Sequence, residues 1–360
     1  MTIPNLKEGG SSRISGPDIA ITMLGIDPRC EITPETAKKA KAQLNENPST
    51  TGAALNGLRK LYTTRSDINF EQDSDDFLLR FLRAGKFDRD RAFGILCNYY
   101  TFRKKYKVTP EMLCAENSAI QQALLDGFPG VLNDLDAHGR RVLLFNAINW
   151  EFWLYSYKEI LKALLLSLEF LVEDENVQVN GIVVIIDFSG VQFKLASKVT
   201  PSLLKLTIEM FQDCFPCRLG ALHIINQRWF VDTAIKLCKP FLKDGIKKKI
   251  YVHGNNLATL HYMVHKEMLP TELGGLKPPY NHFSWAKQLI GCNYKPGKNS
   301  NASGNNNVTP EFVRARRVEL VHPSANDSRP MTAVDDALRM EELPADENEE
   351  LEEMLLFLDY

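Results

Sequence analysis

A chain of 360 residues is long enough for about two domains. With 44% hydrophobic and 24% charged residues and a formal net charge of −2, it has an ordinary globular composition and no global charge that points to nucleic acid. Its longest apolar stretches, Ile182–Ile186 and Leu161–Leu168, fall far short of the ~20 residues that span a bilayer, so membrane contact is expected to be peripheral.

Residues 1–30 are rich in Gly, Ser and Pro and read as a disordered lead-in without the apolar core of a secretory signal. Seven scattered cysteines agree with a reducing, cytoplasmic compartment. Residues 31–122 read as a helical domain. Thr33, Pro34 and Glu35 form a helix start before AKKAKAQLNEN, and a second helix is expected over Ala53–Arg65. Asp73–Asp76 mark the entry to a third, with Phe77, Leu78, Phe81 and Leu82 at helical spacing. Gly85 breaks it, and another helix is expected from Asp88 to about Tyr106.

Residues 123–290 read differently. RVLLFNAI after DAHGR, GIVVIIDFSG after VQVN, and ALHIIN after Gly220 are strand candidates. Helical patterns over Tyr157–Asp174 and Val199–Phe215 alternate with them. That order predicts an α/β fold, a mixed and mostly parallel sheet with covering helices. Residues 291–360 read as a low-complexity linker, KPGKNSNASGNNN, and an acidic tail with a short helix expected from Glu349.

The residues do not assemble into an enzyme site. Cys214 and Cys217 have redox spacing, but they stand at the expected end of an apolar helix, where no helix N-terminus lowers a thiol pKa; they read as two small buried hydrophobes. His261 and His265 lie one helical turn apart, yet Glu267 is not where a metalloprotease base belongs, so packing or surface roles are preferred. Asp187 ends a strand where many α/β enzymes keep a carboxylate; without a neighbouring base, a turn-capping role is preferred. DFSGVQ lacks the second glycine and the lysine of a nucleotide loop. No catalytic residue, metal site or chemical cofactor is expected.

The same domain carries an apolar surplus: Phe128, Phe145, Leu161, Leu164, Leu165 and Leu168, then Ile186, Phe193, Met210, Phe211 and Phe215. Taken alone, such residues are ordinary core. The following segment adds information, because Trp229, Phe230, Ala234, Ile235, Cys238, Phe241 and Leu242 alternate with lysines. From Lys236 to Lys249 there are six lysines against one aspartate, a local net charge of +5. That asymmetry points to an anionic surface, although a solvated helix face has the same look. Nucleic acid is disfavoured, since stacking aromatics beyond Tyr251 are missing from the run.

Six phrases in order, DDFLLRFLRAGKFD, GFPGVLNDLDAHGRRVLLF, NGIVVIIDFSGVQF, FPCRLGALHIINQRWFVD, KPFLKDGIKKKIYVHGNN and LPTELGG, resemble the CRAL-TRIO lipid-transfer family over about Thr33–Leu289. The resemblance is to the branch of alpha-tocopherol transfer protein, retinaldehyde-binding protein and the clavesins. It implies a helical N-terminal block and a sheet whose helices enclose a lipid cavity closed by a helical gate, Trp229–Leu242. Phe128, Phe145, Leu165, Ile186, Met210, Phe211, Phe215 and Leu222 match lining positions, as do Val231, Ile235 and Leu242 on the gate; Leu161, Leu164, Leu168, Val191 and Phe193 complete the expected ligand site. Leu164 and Leu168 stand where the tocopherol carrier has serines, leaving a polar head fewer partners.

Relatives also bind phosphatidylinositol bisphosphates through a basic patch, to which Arg218 and Lys249 correspond. Gly85, Gly220 and Gly245 replace basic side chains there, with Lys86, Lys243, Lys247 and Lys248 beside them. Cys217 occupies the place of the glutamate that holds the inositol headgroup in the phosphatidylinositol-transfer branch, which disfavours that lipid as cargo.

The expectation is an intracellular carrier of one hydrophobic lipid: a tocopherol, retinoid, carotenoid, sterol or phospholipid. It would exchange cargo at phosphoinositide-containing endosomal, Golgi or plasma membranes, with Lys236–Lys249 docking while Trp229 and Phe230 enter the interface. The alternatives are a phosphoinositide-binding trafficking adaptor whose acidic tail recruits a protein partner, and a lipid-acting enzyme using Asp187 with His223 or His253.

Overall fold

The computed structural model describes residues 31–291 except 110, 111 and 116; the expected lead-in, linker, tail and terminal helix lie outside them. Helix α1 (Pro34–Leu44) begins where Thr33 accepts from the Thr36 amide at 3.2 Å, with Pro34 in its first turn. Helix α2 (Pro48–Lys60) starts earlier than the expected Ala53, because Asn47 caps it through the Ser49 amide at 3.1 Å and Pro48 repeats the same device. Helix α3 (Asp75–Ala84) is capped by Ser74 and buries Phe77, Leu78, Phe81 and Leu82 on one stripe. Gly85 follows because a Cβ there would lie 2.9 Å from the Ala92 nitrogen. Helix α4 (Arg89–Lys105), capped by Asp88, and helix α5 (Ser118–Leu125) complete the block.

Five strands follow: β1 (Gly130–Leu135), β2 (Arg141–Asn146), β3 (Ile182–Asp187), β4 (Leu219–Ile225) and β5 (Ile250–Val252). They lie in that order, β1 antiparallel to β2 and the rest parallel. The three expected strands are the middle three. GVLNDL hides β1 because Asn133 and Asp134 interrupt its apolar run, and β5 is three residues long behind three lysines.

Helices α6 (Tyr157–Leu171) and α7 (Glu175–Asn180) cross from β2 to β3. Helices α8 (Phe193–Ala196) and α9 (Pro201–Glu209), the latter continued by a π turn at Met210–Cys214, cross to β4. Helices α10 (Trp229–Cys238) and α11 (Asp244–Lys247) cross to β5, and α12 (Leu257–Met263) and α13 (Phe283–Gly291) come last. Strand alternation divides the interior. Val142, Leu144, Val183, Ile185 and Ala221 pack with Leu260 of α12, Val264, Leu269 and Leu273 on one face. Leu143, Phe145, Ile182 and Val184 face the larger cluster containing α6.

Two buried ion clusters fasten the helical block to the α/β unit. Arg83 is 2% exposed; it donates to Glu46 at 2.9 and 2.7 Å, to Gln178 at 2.7 Å and to Glu175 at 2.8 Å. Glu169 of α6 accepts from Tyr99 at 2.9 Å and from Arg103, whose guanidinium lies 4.3 Å over the Tyr99 ring. Removing one member strands the other charges in a dry interface. Arg83→Ala is therefore expected to lower unfolding free energy by about 3–5 kcal/mol; a urea unfolding curve within 1 kcal/mol of wild type, on an error scale of roughly that size, would contradict this.

Candidate functional site

On the α6 face of the sheet, two large aliphatics of the inner strands are not sealed. Ile186 lies near the end of β3, the middle strand, and Leu222, which pairs with Val184, lies diagonally from it on β4; both are half-buried. Helices roof them: Leu206 of α9 and Phe211 of the π turn belong to the same cluster as Ile186, while Leu222 packs with Phe230, Val231 and Ile235 of α10. A large aliphatic beneath helices is normally sealed, and these two are not. Helix α9 tells the same story, since Leu203, Leu204, Leu206 and Ile208 are half-buried and none of its residues is buried.

Of the other residues expected to line a ligand site, Phe128, Phe145, Leu161, Leu164, Leu165, Leu168, Val191, Met210 and Phe215 are buried, and Phe193, Phe211 and Ile235 are half-buried. Leu242 is half-buried but stands apart from the described apolar clusters. Leu165, Met210 and Phe215 also line, with Tyr99, Phe102, Arg103 and Cys214, a cavity of about 10 Å³, room for one water.

Helix α10 is held at both ends and loose between. Phe230 and Val231 in its first turn are 5% and 6% exposed, so Phe230 points inward, whereas Trp229 is 66% exposed. Ala234, Ile235, Leu237 and Cys238 are half-buried. Beyond its far end, the π turn grips the chain: Gln212 donates to the Phe241 carbonyl at 2.9 Å and accepts from the Lys243 amide at 3.0 Å, and the Lys243 ammonium pairs with Asp213.

The lysine run is split by the fold. Lys243 pairs with Asp213 and Lys247 with Asp244, the latter at 3.2 Å. Lys249 instead turns inward, donating to the Leu219 carbonyl at 2.5 Å. Burial, with Arg218, Lys86 and Arg140 nearby, lowers its pKa. Lys39 of α1 is likewise lowered by burial and by Arg218 and Arg140. Thus Lys39, Lys86, Arg140, Arg218 and Lys249 share one field, with Asp136, which bonds Arg140 at 2.5 Å, set among them.

Lys39 and Arg140 were missed by the sequence reading. The signal for Arg140 is Gly220: a Cβ there would meet Arg140 at 2.6 Å from Cδ and 2.7 Å from Nη1. The guanidinium fills the place left by the side chain that Gly220 lacks. Gly85 has no such substitute, being closed by Ala92, and Gly245 faces open space.

The chemical candidates are occupied otherwise. Asp187 accepts from the Ser189 amide at 2.8 Å, its hydroxyl at 2.7 Å and Asn226 at 2.9 Å, capping the turn after β3. His223 Nδ1 lies 2.9 Å from His253 Nε2, and His253 Nδ1 lies 2.7 Å from the Thr259 hydroxyl. Burial pushes the Cys214 and Cys217 thiols up to about 12, far from nucleophilic. His261 bonds the Leu273 carbonyl at 2.7 Å, while His265 faces Glu267. Among the described residues, no group of three His, Cys, Asp or Glu is arranged to hold a metal ion.

Comparison with known proteins places these features in a family. The CRAL/TRIO domain matches residues 125–275. Clavesin-1 of Xenopus laevis is 44% identical over 284 residues, covering 79% of this chain and 86% of that protein. Clavesin-2 of Homo sapiens is 46% identical over 263 residues, covering 73% and 80%. Among solved structures, the crystal structure of Sfh5 aligns with a TM-score of 0.45 and 16% identity, covering 63% of this chain and 81% of that one.

The histidine pair gives a pH prediction. His223 is fully buried, and desolvation, with His253 second, depresses its pKa from 6.5 to about 4. The unfolded chain therefore binds the proton first, so stability is complete above pH 6.5 and declines as pH falls toward 4, by up to about 3 kcal/mol. His223→Gln should flatten that part of the acid limb in urea titrations. An unchanged slope would exclude this pair as its source.

Proposed function

Because the chain belongs to the CRAL/TRIO domain family, in its clavesin-like branch, we propose that it is a carrier, not an enzyme, that holds one hydrophobic lipid between sheet and gate. The observation that carries this reading is that Ile186 and Leu222, large aliphatics on inner strands beneath helices, are only half-buried, as is every apolar residue of α9 above them. The bonded states of Asp187 and His223 and the raised thiols support a binding role over chemistry. The cargo class is a tocopherol, retinoid, carotenoid, sterol or phospholipid.

A lipid of about twenty carbons gains on the order of 15 kcal/mol from burial at ~0.8 kcal/mol per CH₂, before binding costs. Release into water is correspondingly slow, so exchange belongs at a membrane. The cation cluster suits the clustered phosphates of a phosphatidylinositol bisphosphate headgroup. No helix among the described residues is long and apolar enough to cross a membrane, which fits reversible association with endosomal, Golgi or plasma membranes from the cytoplasm.

Docking can open the gate through the latch. Lys243 leaves Asp213 when lipid phosphates compete for it; an exposed pair of this kind contributes ~0–1 kcal/mol, so the exchange is nearly neutral. The Gln212 bonds are then the remaining restraint at that end. The larger cost is withdrawing Phe230 and Val231, roughly 1.5–3 kcal/mol each, which a bilayer's hydrocarbon returns.

Native mass spectrometry of purified protein should find one intact lipid per chain, and Ile235→Asp should lower that occupancy. Lipid-free wild type on an extract-exposed preparation would count against cargo binding. In vesicle-to-vesicle transfer of a fluorescent lipid, Gln212→Ala should accelerate exchange. Joint replacement of Arg218 and Lys249 by Gln should slow exchange to phosphoinositide vesicles more than joint Lys243, Lys247 and Lys248 to Ala. Equal effects of the two sets would remove the buried cluster's special role.

A further inference from the structure

Parallel strands β2, β3 and β4 all end at one edge of the sheet, so the segments after Asn146, Asp187 and Ile225 emerge side by side. Each presents large apolar groups. Ile148 and Trp153 follow β2, Phe193 follows β3 and Trp229 follows β4; Ile148, Trp153 and Trp229 are 47%, 69% and 66% exposed.

Contacts join them into one patch. The Ile148 Cδ1 atom lies 3.7 Å from where a Cβ would stand on Gly190. The Phe193 ring stacks on Trp229 with centroids 5.9 Å apart, Phe152 meets Trp153 at 5.1 Å, and the Lys198 ammonium sits 5.8 Å over Phe152. Lys194, Lys198 and Arg228 on the same segments are exposed.

Single exposed hydrophobes need no explanation, but convergence from three segments does. These are loop tips with cations set among the rings, the side-chain mixture that settles at the headgroup level of a bilayer, where indole is half in hydrocarbon and lysine meets lipid phosphate. The cation cluster lies at the other edge: Arg140, Arg218 and Lys249 each precede a strand. Six-residue strands at ~3.3 Å per residue put the two edges ~20 Å apart, with α10 running between them.

We propose that this strand-end edge, centred on Ile148, Trp153 and Trp229, is a second membrane contact that inserts into the bilayer interface without requiring phosphoinositide. The protein then holds a membrane at both ends of its gate, by apolar insertion at one and by charge at the other. This rests on the reading that the protein visits membranes, but not on what it carries.

The test combines Ile148→Asn with Trp153→Ala, both exposed positions, with an unchanged thermal midpoint as the folding control. Partition is measured by flotation with pure phosphatidylcholine vesicles at high salt, where the cation cluster is screened. Inositol hexakisphosphate binding reports the cluster separately. Wild type should float, with a blue shift of tryptophan emission. The double variant should partition at least about tenfold less and bind the soluble polyphosphate as wild type does. Wild-type protein that ignores neutral vesicles, or a double variant that floats equally well, would overturn the proposal. Loss of transfer with neutral-vesicle binding retained would instead count against the carrier reading and leave this surface standing.

Discussion

Running β2 through β5 in one direction sorts the surface of this molecule. Each parallel strand enters at one edge and leaves at the other, so whatever the sequence places before strands gathers at one end and whatever follows them gathers at the opposite end. Arg140, Arg218 and Lys249 precede β2, β4 and β5 and meet as a cation cluster. Ile148, Phe193 and Trp229 follow β2, β3 and β4 and lie at the other end. The gate must run back between these ends to begin a parallel β5, and its own aromatic start and lysine-rich finish are thereby laid against the matching edges. No long-range force has to be invoked for this polarity; it follows from strand direction and local sequence.

Helix α10 is held in place by a balance of small terms. Its anchored end buries two side chains, its far end is held by the two Gln212 bonds and one exposed ion pair, and its middle is half-packed. Neutral hydrogen bonds of this kind contribute ~0.5–1.5 kcal/mol each. The total is a few kcal/mol, small beside the ~10² kcal/mol gross terms that hold the domain together. A helix restrained at that level can leave the sheet while the sheet, clasped to the helical block through Arg83 and Glu169, stays intact. Rigid body and moving part are thus separated by which contacts are buried and charged and which are few and exposed.

Much of this was legible in the sequence. Caps at Thr33 and Asp88, the Phe77–Leu82 stripe and the three apolar strands declare themselves, because each depends on residues within a few positions. Strands β1 and β5 do not, since Asn133 and Asp134 interrupt the apolar run of one and the other is too short for any periodicity, and only the ladder makes them strands. The apolar surplus could be seen but not its packing: that Phe145 is sealed while Ile186, its neighbour across the ladder, is not depends on the roof above them. The lysine run misled by adjacency. Lys243 and Lys247 are tied to nearby aspartates, while Lys249 joins residues over one hundred positions away, among them Arg140 at the Asp136 turn and Lys39 in the first helix.

That distant association is costly, and the cost is informative. Bringing Lys39, Arg140, Arg218 and Lys249 together under partial burial depresses both lysine pKa values, which means that the folded protein resists their charges. An ordinary surface disperses like charges or pairs them; here, among the described residues, Arg140 is bonded to the Asp136 carboxylate, which also acts on Lys39, while the Lys39 and Lys249 ammonium groups and the Arg218 guanidinium donate to backbone carbonyls and side-chain amides. Neutral acceptors orient a cation without cancelling its charge. Under the proposed function, a polyanion entering this field would relieve the repulsive part of that cost, which then becomes available to binding. The argument holds without reference to cargo, and it explains why Arg140 can stand in for a side chain that Gly220 lacks: what the cluster requires is charge at a point in space, whichever segment supplies it.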